Sequence, residues 1–400
     1  MDRVAAMVLA GGRGGNFGLL SQHRTKAAFP VGGYYRIIDF PLSNLSNSGI
    51  RQVGVITQFM PASLMDHISS GRPWDFDMAD RHLRFMTPFV GVRETRWFRG
   101  TGDAVAKNLN LISQQEFSEV LILSGEHVYR TDYRHLIQYH REMEADMTLG
   151  CVQIPPERQH PRFGNVVVGR DNRAELFIEK PTQPVSSEVC MGVFCFKRQV
   201  LEDLLAEVVS KLGEREYSLA SDVIQPYIHQ LNVPVWRFED PWYYIGDLNE
   251  YHDFHMRLAQ GGVALFDENW RVMTNLSDRN LGSRPPAYCS ADSRIEASII
   301  SPGCRIEGEV INSVLSPGVR VGVGASVRNC VLFHDVHVGG GSELEHLIGD
   351  KDAEFGEGCK VGGRPPEDGA VPPLVIPKAY RVAAEETIEL GAELDAPVLI

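Results

Sequence analysis

Four hundred residues, 43% hydrophobic and 23% charged, describe a globular chain too long for one compact core, so two domains are expected. A formal charge of −13 opposes nucleic-acid backbones and anionic membrane surfaces, yet leaves room for small phosphorylated ligands held by local cationic clusters. Seven cysteines (151, 190, 195, 289, 304, 330 and 359) form no C-x-x-C pair, which excludes a disulfide framework and a zinc site and points to reduced thiols in a cytoplasmic protein.

No apolar run reaches the ~18 residues of a membrane span. Met1–Ala10 is apolar but runs into glycines without a cleavage site, so it reads as a first strand and not as a signal peptide. Val4–Ala10, Val53–Thr57 and Val120–Leu123 are short aliphatic strands, and Asp103–Gln115 between the last two has helical spacing. Met147–Ile154, Asn165–Val168 and Val189–Phe196 read as later strands, and Leu201–Leu212 as a helix. This alternation predicts βα units on a largely parallel sheet, an α/β domain over residues 1–258.

A linker is expected over 259–290, centred on Gln260–Pro286, and then the periodicity changes. Ile300-Ser301-Pro302-Gly303-Cys304-Arg305-Ile306 recurs as Leu315-Ser316-Pro317-Gly318-Val319-Arg320-Val321. Val319, Ala325 and Val331 are spaced by six, and so are Val321, Val327 and Phe333. A strand alternates by two and a helix by 3.6, so period six in two ladders predicts a hexapeptide parallel β-helix over 291–400. After Gly362 the phase is lost around Pro365-Pro366 and Pro372-Pro373, and an irregular tail is expected.

The first strand ends in Leu9-Ala10-Gly11-Gly12-Arg13-Gly14-Gly15, where bare backbone N–H groups can approach a polyphosphate. Alone, such a run is often only a turn. It is followed by Arg24-Thr25-Lys26, Gly32-Gly33-Tyr34-Tyr35-Arg36-Ile37-Ile38-Asp39-Phe40, Leu42-Ser43-Asn44, Val55-Ile56-Thr57-Gln58, Trp97-Phe98-Arg99-Gly100-Thr101, Phe163-Gly164, Ile178-Glu179-Lys180-Pro181 and Met191-Gly192-Val193. With these segments in order, the chain resembles the glucose-1-phosphate adenylyltransferases among the sugar-1-phosphate nucleotidyltransferases, a family with a Rossmann-like domain and a C-terminal left-handed β-helix.

The resemblance implies ATP and glucose 1-phosphate as substrates, ADP-glucose and pyrophosphate as products, and Mg²⁺ as cofactor, in glycogen or starch precursor synthesis. It places Leu9, Ala10, Gly11, Gly12, Gln58, Gly100 and Thr101 at the nucleotide, with Lys26 and Glu126 in catalytic positions and Glu126 at the metal. Phe98, Gly164, Glu179, Lys180 and Cys190 fall in the sugar-phosphate pocket, and Arg24 and Arg36 at an effector site between the domains. A homo- or hetero-tetramer is implied, with a catalytic paralogue as one possible partner.

Several positions depart from the family pattern. Asn16 stands for an arginine over the leaving phosphates, Glu126 for the aspartate of Gly-Asp-His, and Tyr244 for the aspartate of Trp-Arg-Asp-Val-Gly. Asp247 follows three residues later, and Cys190 and Phe98 replace hydroxyl-bearing residues. These changes set a rival reading, a non-catalytic regulatory or substrate-binding subunit, beside the enzyme. His334 and His337 in the β-helix suggest a remote third, acyl transfer, against the plainer reading of polar side chains at a coil corner. His140, His252 and His255 have no recognisable metal partners, and Arg134, His135 and Arg141 read as a solvated helix face.

Overall fold

The computed structural model describes residues 3–88, 97–112, 116–266, 268–366 and 371–395. Val4–Leu9, apolar throughout, lies at the centre of the first sheet, parallel to Gln52–Ile56 on one side and Glu119–Ser124 on the other. His82–Met86 extends the parallel part. Beyond Glu119–Ser124 the direction reverses: Glu188–Lys197 runs antiparallel to it and to Met147–Gln153, and also to the hairpin strand Gly164–Val168. Among the described residues this sheet has nine strands and is mixed, not largely parallel. Both faces are covered, so a strand of either sense shows the same aliphatic run, and composition does not distinguish them.

The helix expected over Asp103–Gln115 spans Gly100–Asn108 and tightens into a 3-10 turn at Leu109–Leu111; residues 113–115 lie outside the described residues. The helix expected at Leu201–Leu212 spans Arg198–Leu212. On the helix Tyr133–Glu142, Arg134 and His135 are exposed, but Arg141 is not merely solvated: its Nε donates to Glu119 at 2.8 Å, tying helix to sheet.

From Tyr288 the chain winds into three parallel sheets, the triangular left-handed β-helix expected from the six-residue phase. Val321, Val327 and Phe333, all buried, fall on or beside strands of three successive faces, so a step of six turns one corner. The repeat seen in the sequence is one coil, with Ile306 opposite Val321 and Ile300 opposite Leu315. The tail is a correction. Leu374–Ile376, Arg381–Val382 and Thr387–Glu389 rejoin the three sheets as a further coil. The proline-rich insertion before Leu374 interrupts the phase without ending the helix. Among the described residues no helix is long and apolar enough to cross a membrane.

The domains share a core. Phe17, Phe29, Tyr251 and Phe254 of the first pack in one buried cluster with Val314, Val331, Phe333 and Ile348 of the β-helix. Above this apolar contact, buried Arg24 pairs with Asp350 at 2.8 Å, and Arg36 Nη2 donates to Asp278 at 2.6 Å. The expected linker is strapped down: Trp270 Nε1 donates to Asn44 Oδ1, the Met273 amide to Ser43 Oγ, and Asn275 Nδ2 to the His67 carbonyl.

Three buried histidines make local bonds, His140 through Nδ1 only, its buried Nε2 having no partner among the described residues. His140 Nδ1 meets Thr148 Oγ1 at 2.8 Å, and His252 Nε2 meets the Asn329 carbonyl across the domain junction at 2.7 Å. His255 accepts from the Gly32 amide at Nε2, which leaves Nδ1 to donate to the Tyr251 carbonyl. Burial pushes each imidazole down to about 4. The unfolded chain therefore takes up these protons first, near 6.5, while the folded chain resists until about 4. Stability is expected to be full above about pH 6.5 and to fall as pH drops toward 4, by roughly 2–4 kcal/mol per histidine at the limit. Urea midpoints measured between pH 7.5 and 4.5 should decline steadily; a flat profile would show that these rings are protonated when folded.

Candidate functional site

Val4–Leu9 and its two parallel neighbours end at the same edge of the sheet, and a cavity of about 990 Å³ opens there. Leu9, Gly11, Gly12, Gln58, Phe98, Gly100, Thr101 and Glu126 all line it, which brings most of the expected nucleotide residues together. Ala10 is buried beneath the loop. At Gly12 a Cβ would collide with the Glu126 carboxylate, so glycine is what lets loop and carboxylate approach. Gly100 has φ +89°, and a Cβ there would meet the Tyr217 carbonyl oxygen.

Gln58 does not point free into the cavity. Its Oε1 accepts from the Phe98 amide at 2.5 Å and its Nε2 reaches the Phe98 carbonyl at 3.5 Å, locking one wall to the other. The Thr101 hydroxyl accepts from the Leu219 amide at 2.9 Å. The rim holds residues that the sequence reading passed over: the Arg13 guanidinium lies 4.3 Å above the Phe59 ring, which stacks on Trp97 at 5.3 Å. An arginine in the loop and an aromatic after Gln58 were the available signals.

Lys26 sits behind Glu126, its side chain 5% exposed and its Nζ 3.4 Å from Glu126 Oε2. The ammonium also lies 4.7 Å from the centre of the Tyr244 ring and 5.8 Å from that of Phe17. Burial pushes Lys26 below the usual lysine value, and the Glu126 charge opposes the shift. Tyr244 is placed opposite His127 by antiparallel pairing of Trp242–Tyr244 with His127–Tyr129. Burial pushes its phenol up to about 12, so it stays neutral. Asn16 Nδ2 donates to the Gly246 carbonyl at 3.2 Å.

The sugar-side residues form a second group on the same sheet. Gly164 is the pairing partner of Cys190, and a Cβ on Gly164 would lie 3.1 Å from Glu179 Oε2. Lys180, largely exposed, pairs with Glu179 at 3.2 Å. Cys190 shares its strand with Gly192 and Phe194 of the cavity wall, and burial raises its thiol to about 12, which removes it as a nucleophile. Arg24 and Arg36 are not at this cleft; both are buried at the domain junction and ion-paired. His334 is buried at that junction among the charges of Lys351, Arg36 and Arg279, while His337 faces outward from the first β-helix sheet.

Among the described residues, those at the cleft do not fit a resident Mg²⁺. That ion needs several hard oxygen ligands in near-octahedral array. Glu126 offers one carboxylate, already met by Lys26, and Tyr244 a protonated phenol. His160, Asp247 and Glu250 have ligand atoms within 4.8 Å of one another. One oxygen of each carboxylate is engaged at the helix start, Asp247 Oδ1 accepting from the Glu250 amide and Glu250 Oε2 from the Gly246 amide, and an imidazole is a poor Mg²⁺ ligand.

A glycine loop at the edge of a mixed sheet, a buried lysine behind it and an appended hexapeptide β-helix define a nucleotidyl transferase. The nucleotidyl transferase family matches residues 5–261, and the GlmU-like, C-terminal hexapeptide family matches residues 286–372. The chain is 38% identical to the glucose-1-phosphate adenylyltransferase of Thermotoga maritima over 82% of its length and 77% of that protein. For the enzymes of the same name from Fervidobacterium nodosum and Halalkalibacterium halodurans, identity is 35% and 34%, with 90% and 88% of this chain and 86% and 97% of the relatives covered. The chain belongs to the glucose-1-phosphate adenylyltransferase family.

Proposed function

We propose that the cleft binds ATP and glucose 1-phosphate and forms ADP-glucose. A phosphate oxygen of the sugar phosphate attacks the α-phosphorus, and the bond from that phosphorus to pyrophosphate breaks. No enzyme nucleophile is required, so the protein acts by positioning and by cationic stabilisation. The Gly11-Gly12 backbone holds the polyphosphate, Lys26 supplies a fixed positive charge beside it, and Lys180 meets the sugar phosphate as a point charge. The observation that carries this reading is the convergence of the glycine loop, Gly100-Thr101 and Glu126 on one cavity, with the buried Lys26 ammonium directly behind Glu126. Pyrophosphate release from ATP and glucose 1-phosphate, with UTP as the control nucleotide, tests it.

Lys180→Ala should weaken glucose 1-phosphate binding about tenfold to a hundredfold, the value of a charge-assisted contact to phosphate. Calorimetry giving equal affinities would remove Lys180 from the site.

A second reading is favoured by Tyr244 and Asn16: the chain serves as a slow or non-catalytic subunit that binds substrate beside an active paralogue. Release that appears only as stimulation of such a partner would establish it. For either reading we propose a tetramer in the cytoplasm, since open β-helix ends and flat strand faces are seldom left bare. Light scattering at micromolar concentration should exceed the 44.6 kDa of one chain; a persistent monomer would exclude the assembly.

A further inference from the structure

Resting on that reading of the cleft, we propose that this chain binds its nucleoside triphosphate without a divalent ion, the Lys26 ammonium standing where, by the family resemblance, a metal and two carboxylates would be. The ammonium needs no ion to fix it. Glu126 Oε2 holds it at 3.4 Å, and the Tyr244 ring lies 4.7 Å away. That ring is itself held on several sides, with the Phe163, His160 and His127 ring centres at 5.0, 5.0 and 5.4 Å. Phe17, the second aromatic wall, packs edge-on against Phe29 at 4.9 Å. A lysine caged in this way is an ordered point charge before any ligand arrives, which is what electrostatic preorganisation requires.

The substitution is a matched set. A carboxylate at position 244 would bracket a divalent ion together with that of residue 126. A neutral ring there brings no carboxylate, and its π face already meets the Lys26 ammonium. Glu126 is already paired with Lys26, so its carboxylate is partly compensated.

The test is calorimetric titration of the full chain with ATP, once in EDTA and once in excess Mg²⁺, with Mn²⁺ binding to the protein followed by paramagnetic resonance. The wild-type chain is expected to bind ATP in EDTA within about twofold of its Mg²⁺ value and to hold no stoichiometric Mn²⁺. Lys26→Gln should lose at least about tenfold in EDTA, the value of a charge-assisted phosphate contact. Glu126→Asp with Tyr244→Asp should acquire a Mn²⁺ site and an ATP affinity that Mg²⁺ improves at least about tenfold. Tenfold weaker wild-type binding in EDTA, or stoichiometric Mn²⁺ on the wild-type chain through any residues, overturns the proposal and leaves the functional reading standing. An absence of ATP binding under both conditions overturns the functional reading itself. Should the double variant fail to fold, the two wild-type measurements decide.

Discussion

Asn16→Arg, Glu126→Asp and Tyr244→Asp together are expected to raise the rate of ADP-glucose formation by at least about a hundredfold over the wild-type chain. Asn16 is neutral, bonded to the Gly246 carbonyl, and cannot compensate the charge on departing pyrophosphate. By the family resemblance Tyr244 stands for a carboxylate and Glu126 extends an aspartate by one methylene, a displacement of about an ångström that can cost about a hundredfold where reacting groups must align. These losses act on the transition state more than on ground-state binding, so the maximal rate should move and substrate affinity should hardly change. The three changes should exceed the sum of their single effects, because charge, leaving group and attacking phosphate are positioned as one unit. Stopped assays of the seven variants would show this directly; a triple variant no faster than wild type would mean the substituted positions do not limit turnover.

The second large effect concerns stability. Asp350→Ala is expected to destabilise the chain by about 3–5 kcal/mol, because it leaves the buried Arg24 guanidinium without its counter-charge. Removing both partners, as Arg24→Met with Asp350→Ala, should recover most of that loss, since a buried pair is worth little net of its desolvation. Urea unfolding of the single and double variants checks both statements; a single variant within 1 kcal/mol of wild type would show that water reaches Arg24. Asp350 and Asp278 already pair with Arg24 and Arg36, the arginines that the resemblance places at an effector site between the domains, while the buried Arg24 Nη1 keeps no hydrogen-bond partner among the described residues.

How far the sequence could be read follows from the range of the interactions involved. The β-helix was legible because its period is local: Val321, Val327 and Phe333 take their places within one coil. Its last coil was hidden, because the pairing of Leu347–Gly349 with Leu374–Ile376 spans the proline-rich insertion. Strand direction in the first domain was not legible, since Glu188–Lys197 is buried on both faces and reads like its parallel neighbours. His82–Met86 escaped as a half-exposed edge strand with two charged or polar positions among five. The glycine loop and Lys26 were found by their setting in the chain. The aromatic cage around Lys26 was not, because Phe17 and Tyr244 reach it from opposite ends of the domain. Gln58 was placed at the nucleotide by resemblance, whereas its amide is bound to the Phe98 backbone and acts on the cleft by holding its walls.

On the proposed reading this cleft supports adenylyl transfer to glucose 1-phosphate, slowed by Asn16, Glu126 and Tyr244, which by resemblance replace a leaving-group arginine and two metal carboxylates. Steady-state pyrophosphate release by the purified chain alone, with saturating ATP and glucose 1-phosphate, tests it most directly. The expected result is release that depends on glucose 1-phosphate, prefers ATP to UTP, and runs below about 1 s⁻¹, under the usual enzyme range of about 1–10³ s⁻¹. A rate inside that range would contradict the account, because Asn16, Glu126 and Tyr244 would then constitute a fully working site.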